Sequence, residues 1–197
     1  MKKEVLFVLL PDFADWEIAY IAAFLNFGLE PGRAKYTVKT LSLSKEPVVS
    51  IGGLKVLPDY SLEDAPSDYA GLILIGGMSW FTSETVKIVP FVQTAIDDNK
   101  IVAGICNASV FLAMHGFLNE VKHTSNGLEY LRQFAGTNYT GTANYLDKQV
   151  VSDHSIITAS GLNPLEFSKA ILAALEADTP EMIEKNYQRY KTGIWIP

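Results

Sequence analysis

The sequence is poor in the residues that staple or metallate small proteins: among 197 residues there is one cysteine, Cys106, and three histidines. A single thiol cannot close an internal disulfide, which excludes a disulfide-held secreted scaffold. No C-x-x-C or H-x-x-x-H spacing occurs, so no metal site is expected. Neither G-x-G-x-x-G nor G-x-x-x-x-G-K-[ST] is present, which leaves dinucleotide and phosphate-loop cofactors unsupported; no cofactor is expected. Basic runs are missing too. Sixteen Lys and Arg stand against 22 Asp and Glu, a net charge of −6, and this argues against nucleic acid as a partner.

Long apolar runs are also absent. Lys2-Lys3 precedes Val5 to Leu10, but that stretch stops at Pro11-Asp12, too short for a secretory leader. Nothing approaches the roughly 20 apolar residues of a membrane span. A soluble cytoplasmic protein with no membrane partner is the expectation. The chain is 48% apolar and 19% charged, the balance of a core-forming globule, and its length suits one domain over residues 1–197.

Apolar segments alternate with helical patterns. Val5 to Leu10 is a continuous run suited to a strand buried on both faces. From Asp15, which can cap a helix, Ile18, Ile21, Ala22, Leu25 and Leu29 recur every three or four residues, with Gly28 near the end. Strands are expected near 4–10, 36–43, 69–75 and 101–105, with helices over 85–97 and 108–115. Residues 51–58 read as a turn and a short extended piece. A hairpin around Ser152-Asp-His-Ser155 follows, then helices over 165–175 and 180–190. Such alternation predicts an α/β protein with a mainly parallel central sheet. The apolar tail, with Tyr190, Ile194, Trp195 and Ile196, is expected to pack on a neighbouring surface or subunit.

One segment carries chemistry. In Ile101-Val-Ala-Gly104-Ile-Cys106-Asn-Ala108 a strand meets a helix at the cysteine, with small residues two before and two after. This is the steric pattern of a nucleophile elbow. A lone thiol is more often a buried structural residue, but strand, turn and helix here agree on the elbow. Placement over a helix N-terminus predicts a thiol pKa below its usual value. Gly76-Gly77 closes the strand before it, where bare backbone N–H groups suit an oxyanion site. Glu17 opens the first helix at the same sheet edge, where a carboxyl could bond the thiol or move a proton. Its being merely a helix-start acid is the competing explanation. Among the histidines, His115 ends the elbow helix and His154 lies in the hairpin turn. His123 is therefore the one candidate base.

Glu17, Gly76-Gly77 and the Gly104-Ile-Cys106-Asn-Ala108 elbow, in that order, resemble the DJ-1/PfpI family of the class I glutamine amidotransferase-like superfamily. His123-Thr-Ser-Asn-Gly-Leu-Glu-Tyr130 and Thr158-Ala-Ser-Gly161 are similar to segments of its bacterial intracellular protease/amidase branch. The resemblance runs from Val5 to about Leu175. It implies a flavodoxin-like three-layer α/β sandwich, Cys106 as nucleophile with Glu17 on its sulfur, and His123 as a further catalytic candidate. It also implies Gly76, Gly77, Asn107 and Asn126 around an oxyanion or substrate, and a homodimer. Peptidase members carry histidine directly after the cysteine, where this chain has Asn107. The implied activity is amidase-, peptidase- or glyoxalase-like on a small-molecule substrate. A thiol that responds to an oxidant, as in a stress-response sensor, and a catalytically silent binding module are the alternatives. In the sensor and enzyme readings alike, a protonated Glu17 is expected to donate to a Cys106 thiolate.

Overall fold

The computed structural model describes residues 2–195. Its elements are β1 (Lys3–Val8), α1 (Asp15–Phe27), β2 (Tyr36–Ser42), β3 (Val48–Val49), β4 (Lys55–Val56), β5 (Tyr60–Ser61), β6 (Gly71–Leu74), α2 (Val89–Asp97), β7 (Ile101–Ile105), α3 (Asn107–Met114), α4 (Leu128–Ala135), β8 (Val150–Asp153), β9 (Ile156–Ala159), α5 (Pro164–Ala174) and α6 (Pro180–Thr192). Seven strands form one sheet in the order β5-β2-β1-β6-β7-β9-β8. Every pairing in it is parallel except β8 with β9, the expected hairpin.

The apolar runs are continuous because both sheet faces are covered. Along β1 and just beyond it, Val5, Phe7 and Leu9 join the cluster beneath α1 and α5, with Ile21, Phe167 and Ile171. Leu6, Val8 and Leu10 join the opposite cluster, with Trp80, Val92 and Phe111. The result is a three-layer α/β sandwich. The chain leaves β1 toward β2 and β5, then returns to β6 on the other side of β1. That reversal opens a crevice at the carboxyl ends of the strands. The loops after β1, β6, β7 and β9 all reach this edge.

Local details differ from the pattern-based expectation where a specific residue intervenes. The helix expected over 85–97 is a 3-10 segment, Ser83–Ile88, followed by α2. Pro90 lacks an N–H and suits only a helix start, so the α-helix begins there. Residues 48–56 close into the small antiparallel β3–β4 hairpin. Asp15 does not cap α1, whose N-cap is Ala14. Its carboxylate instead accepts from the Ser50 hydroxyl and, at 2.7 Å, from the Gly52 N–H, pinning the hairpin to the helix. Those bonds, the Ser50 one foremost, hold its pKa below the usual carboxylate range. Helix α4 was not legible as a helix. It is only eight residues long, bracketed by Gly127 and Gly136.

At the tail, Tyr190 packs edge-on against Tyr20 at 5.4 Å and Phe24 at 5.1 Å. The Arg189 guanidinium lies 3.8 Å over the Trp195 ring, and Ile194 and Trp195 remain exposed. Ile196 lies outside the described residues. No helix among the described residues is long and apolar enough to cross a membrane.

Trp80 ties the sheet edge to the elbow helix. Its indole N–H donates to the Ile75 carbonyl at 2.7 Å, and its ring lies 4.8 Å from that of Phe111 in α3. Trp80→Phe leaves that buried carbonyl without its partner and opens a small void. Urea denaturation of this variant is expected to show a loss of about 2–4 kcal/mol; an unchanged midpoint would remove Trp80 from this role.

Candidate active site

Cys106 lies between the end of β7 and the start of α3, with φ 56° and ψ −129°. A side-chain-bearing residue rarely adopts such a backbone, and here the parallel strand and the buried helix on either side of it enforce it. The turn aims the sulfur at the sheet's carboxyl edge. There it sits in the wall of a cleft of about 630 Å³, together with Trp16, Glu17, Asn126, Gly161 and Leu162.

Glu17, in the first turn of α1, is fully buried. Its Oε2 accepts from the Gly76 N–H at 2.8 Å. Oε1 has no partner of hydrogen-bond geometry among the described residues. It faces the Cys106 thiol, which acts on the acidity of the carboxyl as a hydrogen-bonding neighbour. Two glycines make this approach possible. A Cβ at Gly76 would lie 2.5 Å from Glu17 Oε2 and 2.6 Å from the Cys106 Cβ. One at Gly161 would lie 2.9 Å from both the sulfur and Glu17 Oε1. Any side chain at either position would displace the pair.

Asn126 donates to the sulfur at 3.2 Å, while its carbonyl oxygen accepts from the Gly161 N–H at 2.9 Å. The backbone N–H of Asn107 also points at the sulfur. The Asn107 side chain turns away, donating to the Gly77 carbonyl at 3.0 Å and accepting from the Tyr130 hydroxyl at 2.9 Å. Gly77 bridges to Phe13. That bridge is closed by Ala14 N–H to Gly76 O and Met78 N–H to Asp12 O, which leaves the N–H of Gly77 itself outside the ladder.

Burial sets the electrostatics. It pushes the Glu17 carboxyl up to about 7, against the opposing bonds from Cys106 and Gly76. It also pushes the Cys106 thiol up to about 11, with the negative charge of Glu17 adding to the effect, while Asn126 and the Asn107 N–H pull the other way. The direction expected from the helix N-terminus alone is thus reversed for the thiol, because desolvation and a neighbouring carboxylate outweigh the dipole. The carboxyl moves in the direction expected of it.

The structure brings Cys106, Glu17, Gly76, Gly77, Asn107 and Asn126 to one sheet edge. Gly76 is there in a different capacity from the one expected. Its N–H is taken by Glu17, so it orients the carboxyl and is not open to an oxyanion. His123 is not brought to the cleft. It is buried, its Nδ1–H donating to the Val121 carbonyl and its Nε2 accepting from the Tyr139 hydroxyl, both at 2.8 Å. Burial holds its pKa below the usual value, so it is a neutral imidazole with both nitrogens engaged. His115 ends α3 against Phe111, and His154 sits exposed in the β8–β9 turn. Among the described residues no cluster of three or more His, Cys, Asp or Glu could hold a metal ion.

Gly161, Trp16 and Tyr130 were not singled out as functional from the sequence. Gly161 had a readable signal, since it follows a buried strand just as Gly76 does. Trp16, half exposed beside Glu17, donates its indole N–H to the Gly161 carbonyl at 3.0 Å and so ties the two walls of the cleft together.

The DJ-1/PfpI family model matches residues 3–174. A Bacillus subtilis (strain 168) protein named uncharacterized protease YdeA is 38% identical over 194 residues, covering 98% of this chain and 93% of that protein. A crystal structure of a thiJ/pfpI family protein from Bacillus anthracis is 34% identical, with a TM-score of 0.90 and coverage of 98% of this chain and 92% of that one. The DJ-1 superfamily protein Atu0886 from Agrobacterium tumefaciens is 35% identical, with a TM-score of 0.86 and coverage of 98% and 99%.

The raised carboxyl predicts a pH-dependent stability. Unfolded, Glu17 ionises near the usual 4.5; folded, near 7. Between those values only the unfolded chain releases the proton, so the stability present below about 4.5 is lost as pH rises through about 7. The loss is about 3 kcal/mol at most. Glu17→Gln keeps an acceptor for the Gly76 N–H but cannot ionise. Thermal melts are expected to show the variant gaining on the wild type between pH 5 and pH 8; parallel pH curves would mean that the carboxyl is not held protonated by the fold.

Proposed function

The chain belongs to the DJ-1/PfpI family, and on that footing we propose that it is a cysteine-dependent enzyme acting on a reactive carbonyl compound. In this reading Cys106 is the nucleophile and Glu17 the proton carrier. The observation that supports it best is the pair itself: a thiol held protonated beside a carboxyl whose pKa is about 7, with no histidine lining the cleft. A carboxyl poised near neutrality is half ionised there and can take and return a proton in one cycle.

The steps follow from that pairing. As the sulfur forms a bond to the carbonyl carbon, its proton passes to the Glu17 carboxylate, and the carbonyl π pair moves onto oxygen. The N–H groups of Asn107 and Gly77 are the donors for that oxyanion, which then takes the proton back from Glu17 to give a hemithioacetal. With a 2-oxoaldehyde, Glu17 next takes the proton from the carbon bonded to sulfur and delivers it to the neighbouring carbon, while the hydroxyl proton of the hemithioacetal passes to the neighbouring carbonyl oxygen. This leaves a 2-hydroxyacyl thioester. Water cleaves the thioester, restoring the thiol and releasing a 2-hydroxy acid. The sum is one water added, with no external oxidant or reductant.

Amide or peptide hydrolysis is the other enzymatic reading, motivated by the protease name of the Bacillus subtilis relative. It asks the same carboxyl to protonate a departing amine, with no histidine available to share the work. A peroxide-sensing thiol is supported less well. Oxidation proceeds through the thiolate, and a thiol near 11 is about one part in ten thousand ionised at pH 7.

Turnover of 2-oxoaldehydes, amides and peptides, alongside peroxide oxidation, separates these readings. The carbonyl reading expects 2-oxoaldehyde turnover that Cys106→Ala abolishes and Glu17→Gln lowers by about 10²–10⁴-fold. Because Glu17 must be ionised to receive the proton, kcat/KM is expected to rise with pH through about 7. Peptide cleavage without carbonyl turnover would favour the hydrolase, and stoichiometric oxidation without either turnover would favour the sensor.

A further inference from the structure

Tyr130 lies on α4, outside the set of residues that touch the sulfur, yet its hydroxyl is one bond away from the oxyanion donors. It donates at 2.9 Å to Asn107 Oδ1, and the Nδ2 of the same amide donates at 3.0 Å to the Gly77 carbonyl. Asn107 is buried, so this amide does not exchange its bonds with bulk solvent. Gly77 is close to fully extended, with φ 156° and ψ −177°. In an extended residue the N–H and C=O point to the same side of the chain. Holding the Gly77 carbonyl toward Asn107 therefore also sets the direction of the Gly77 N–H. The backbone N–H of Asn107 is on the same residue as the strut and faces the sulfur.

The phenol is packed as well as hydrogen-bonded. Its ring lies 4.6 Å from that of Phe134, which lies 5.1 Å from Phe81 in the segment just after Gly77. A hydroxyl whose ring packs on Phe134 anchors an amide that would otherwise choose between two orientations. The donor assignment follows as well. Nδ2 must face the Gly77 carbonyl, so Oδ1 needs a donor on its other side, and the phenol supplies one.

We infer that Tyr130 is a positioning residue for the oxyanion site: through the Asn107 side chain it sets the spacing and direction of the Asn107 and Gly77 N–H groups. This rests on the carbonyl-addition reading above. An ångström of drift between two such donors is costly to a developing oxyanion but of little consequence to the neutral ground state.

The test uses the full chain and two reactions of the same thiol. Turnover of methylglyoxal passes through an oxyanion; alkylation by iodoacetamide does not. Tyr130→Phe keeps the ring and removes only the hydroxyl. It is expected to lower kcat about 10- to 100-fold with KM changed less than about threefold. The iodoacetamide rate, which feels the Asn107 N–H only through thiolate formation, should fall by much less than kcat, and the pH limb belonging to Glu17 should stay where it is. Asn107→Ala removes the strut from its other end and should reproduce the loss in kcat, the double variant falling no further than that single one. It also carries the test if Tyr130→Phe does not fold. If the wild type turns over methylglyoxal and both variants match it, the positioning role is overturned while the carbonyl reading stands. A parallel fall in turnover and alkylation likewise overturns it, because the defect then lies in the thiol. A wild type that turns over no 2-oxoaldehyde overturns the reading and this inference together.

Discussion

The arrangement of the sheet edge depends on one carboxyl group taken out of water beside one thiol. Glu17 is inaccessible to solvent, bonded to the Gly76 N–H on one oxygen and facing Cys106 with the other. A carboxyl in that position is tolerated only if it keeps a proton over much of the neutral range or finds donors. Here one backbone donor and a neighbouring thiol pull its pKa down, but burial outweighs both and the pKa rises. The glycines at 76 and 161 exist in the fold as the space this contact needs, since a Cβ at either would press on the pair.

The same burial decides how acidic the Cys106 thiol is. A helix N-terminus and two N–H donors favour the thiolate, yet desolvation and the adjacent carboxylate work against it and prevail. In the proposed reaction, attack by the sulfur is therefore coupled to proton transfer, which makes the carboxyl as central as the thiol. The one histidine candidate does not alter this. His123 is spent on Val121 and Tyr139, in a buried network that braces the segment leading to Asn126.

The walls of the cleft come from distant parts of the chain held by few bonds each. Trp16 reaches the Gly161 carbonyl, Asn126 spans from the sulfur to the Gly161 N–H, and Tyr130 reaches Asn107. Two of these bonds reach the elbow, and the other two join α1 and the Asn126 segment to the loop after β9. The cleft's shape is thus a property of how α1, α4 and the loop after β9 dock on a common sheet edge.

Much of this was legible in the residues before any coordinates. Unbroken apolar runs at Val5 to Leu10 and Ile101 to Ile105 mark strands covered on both faces, because only a doubly covered parallel sheet leaves no solvent side for polar residues to occupy. The small residues at Gly104 and Ala108 around Cys106 mark the elbow, because the steric demand is local and so is its signature. The matters that tertiary structure alone decided are all contacts between segments far apart in sequence. Glu17 and Gly76, 59 residues apart, are neighbours only once β1 and β6 pair. The same holds for Gly161 against the sulfur and for the docking of α4, a helix too short to be stable alone, whose Tyr130 reaches Asn107. The thiol's pKa belongs with these. A helix N-terminus can be read from a string of residues, but the desolvation that overrides it depends on what the rest of the chain places around the sulfur.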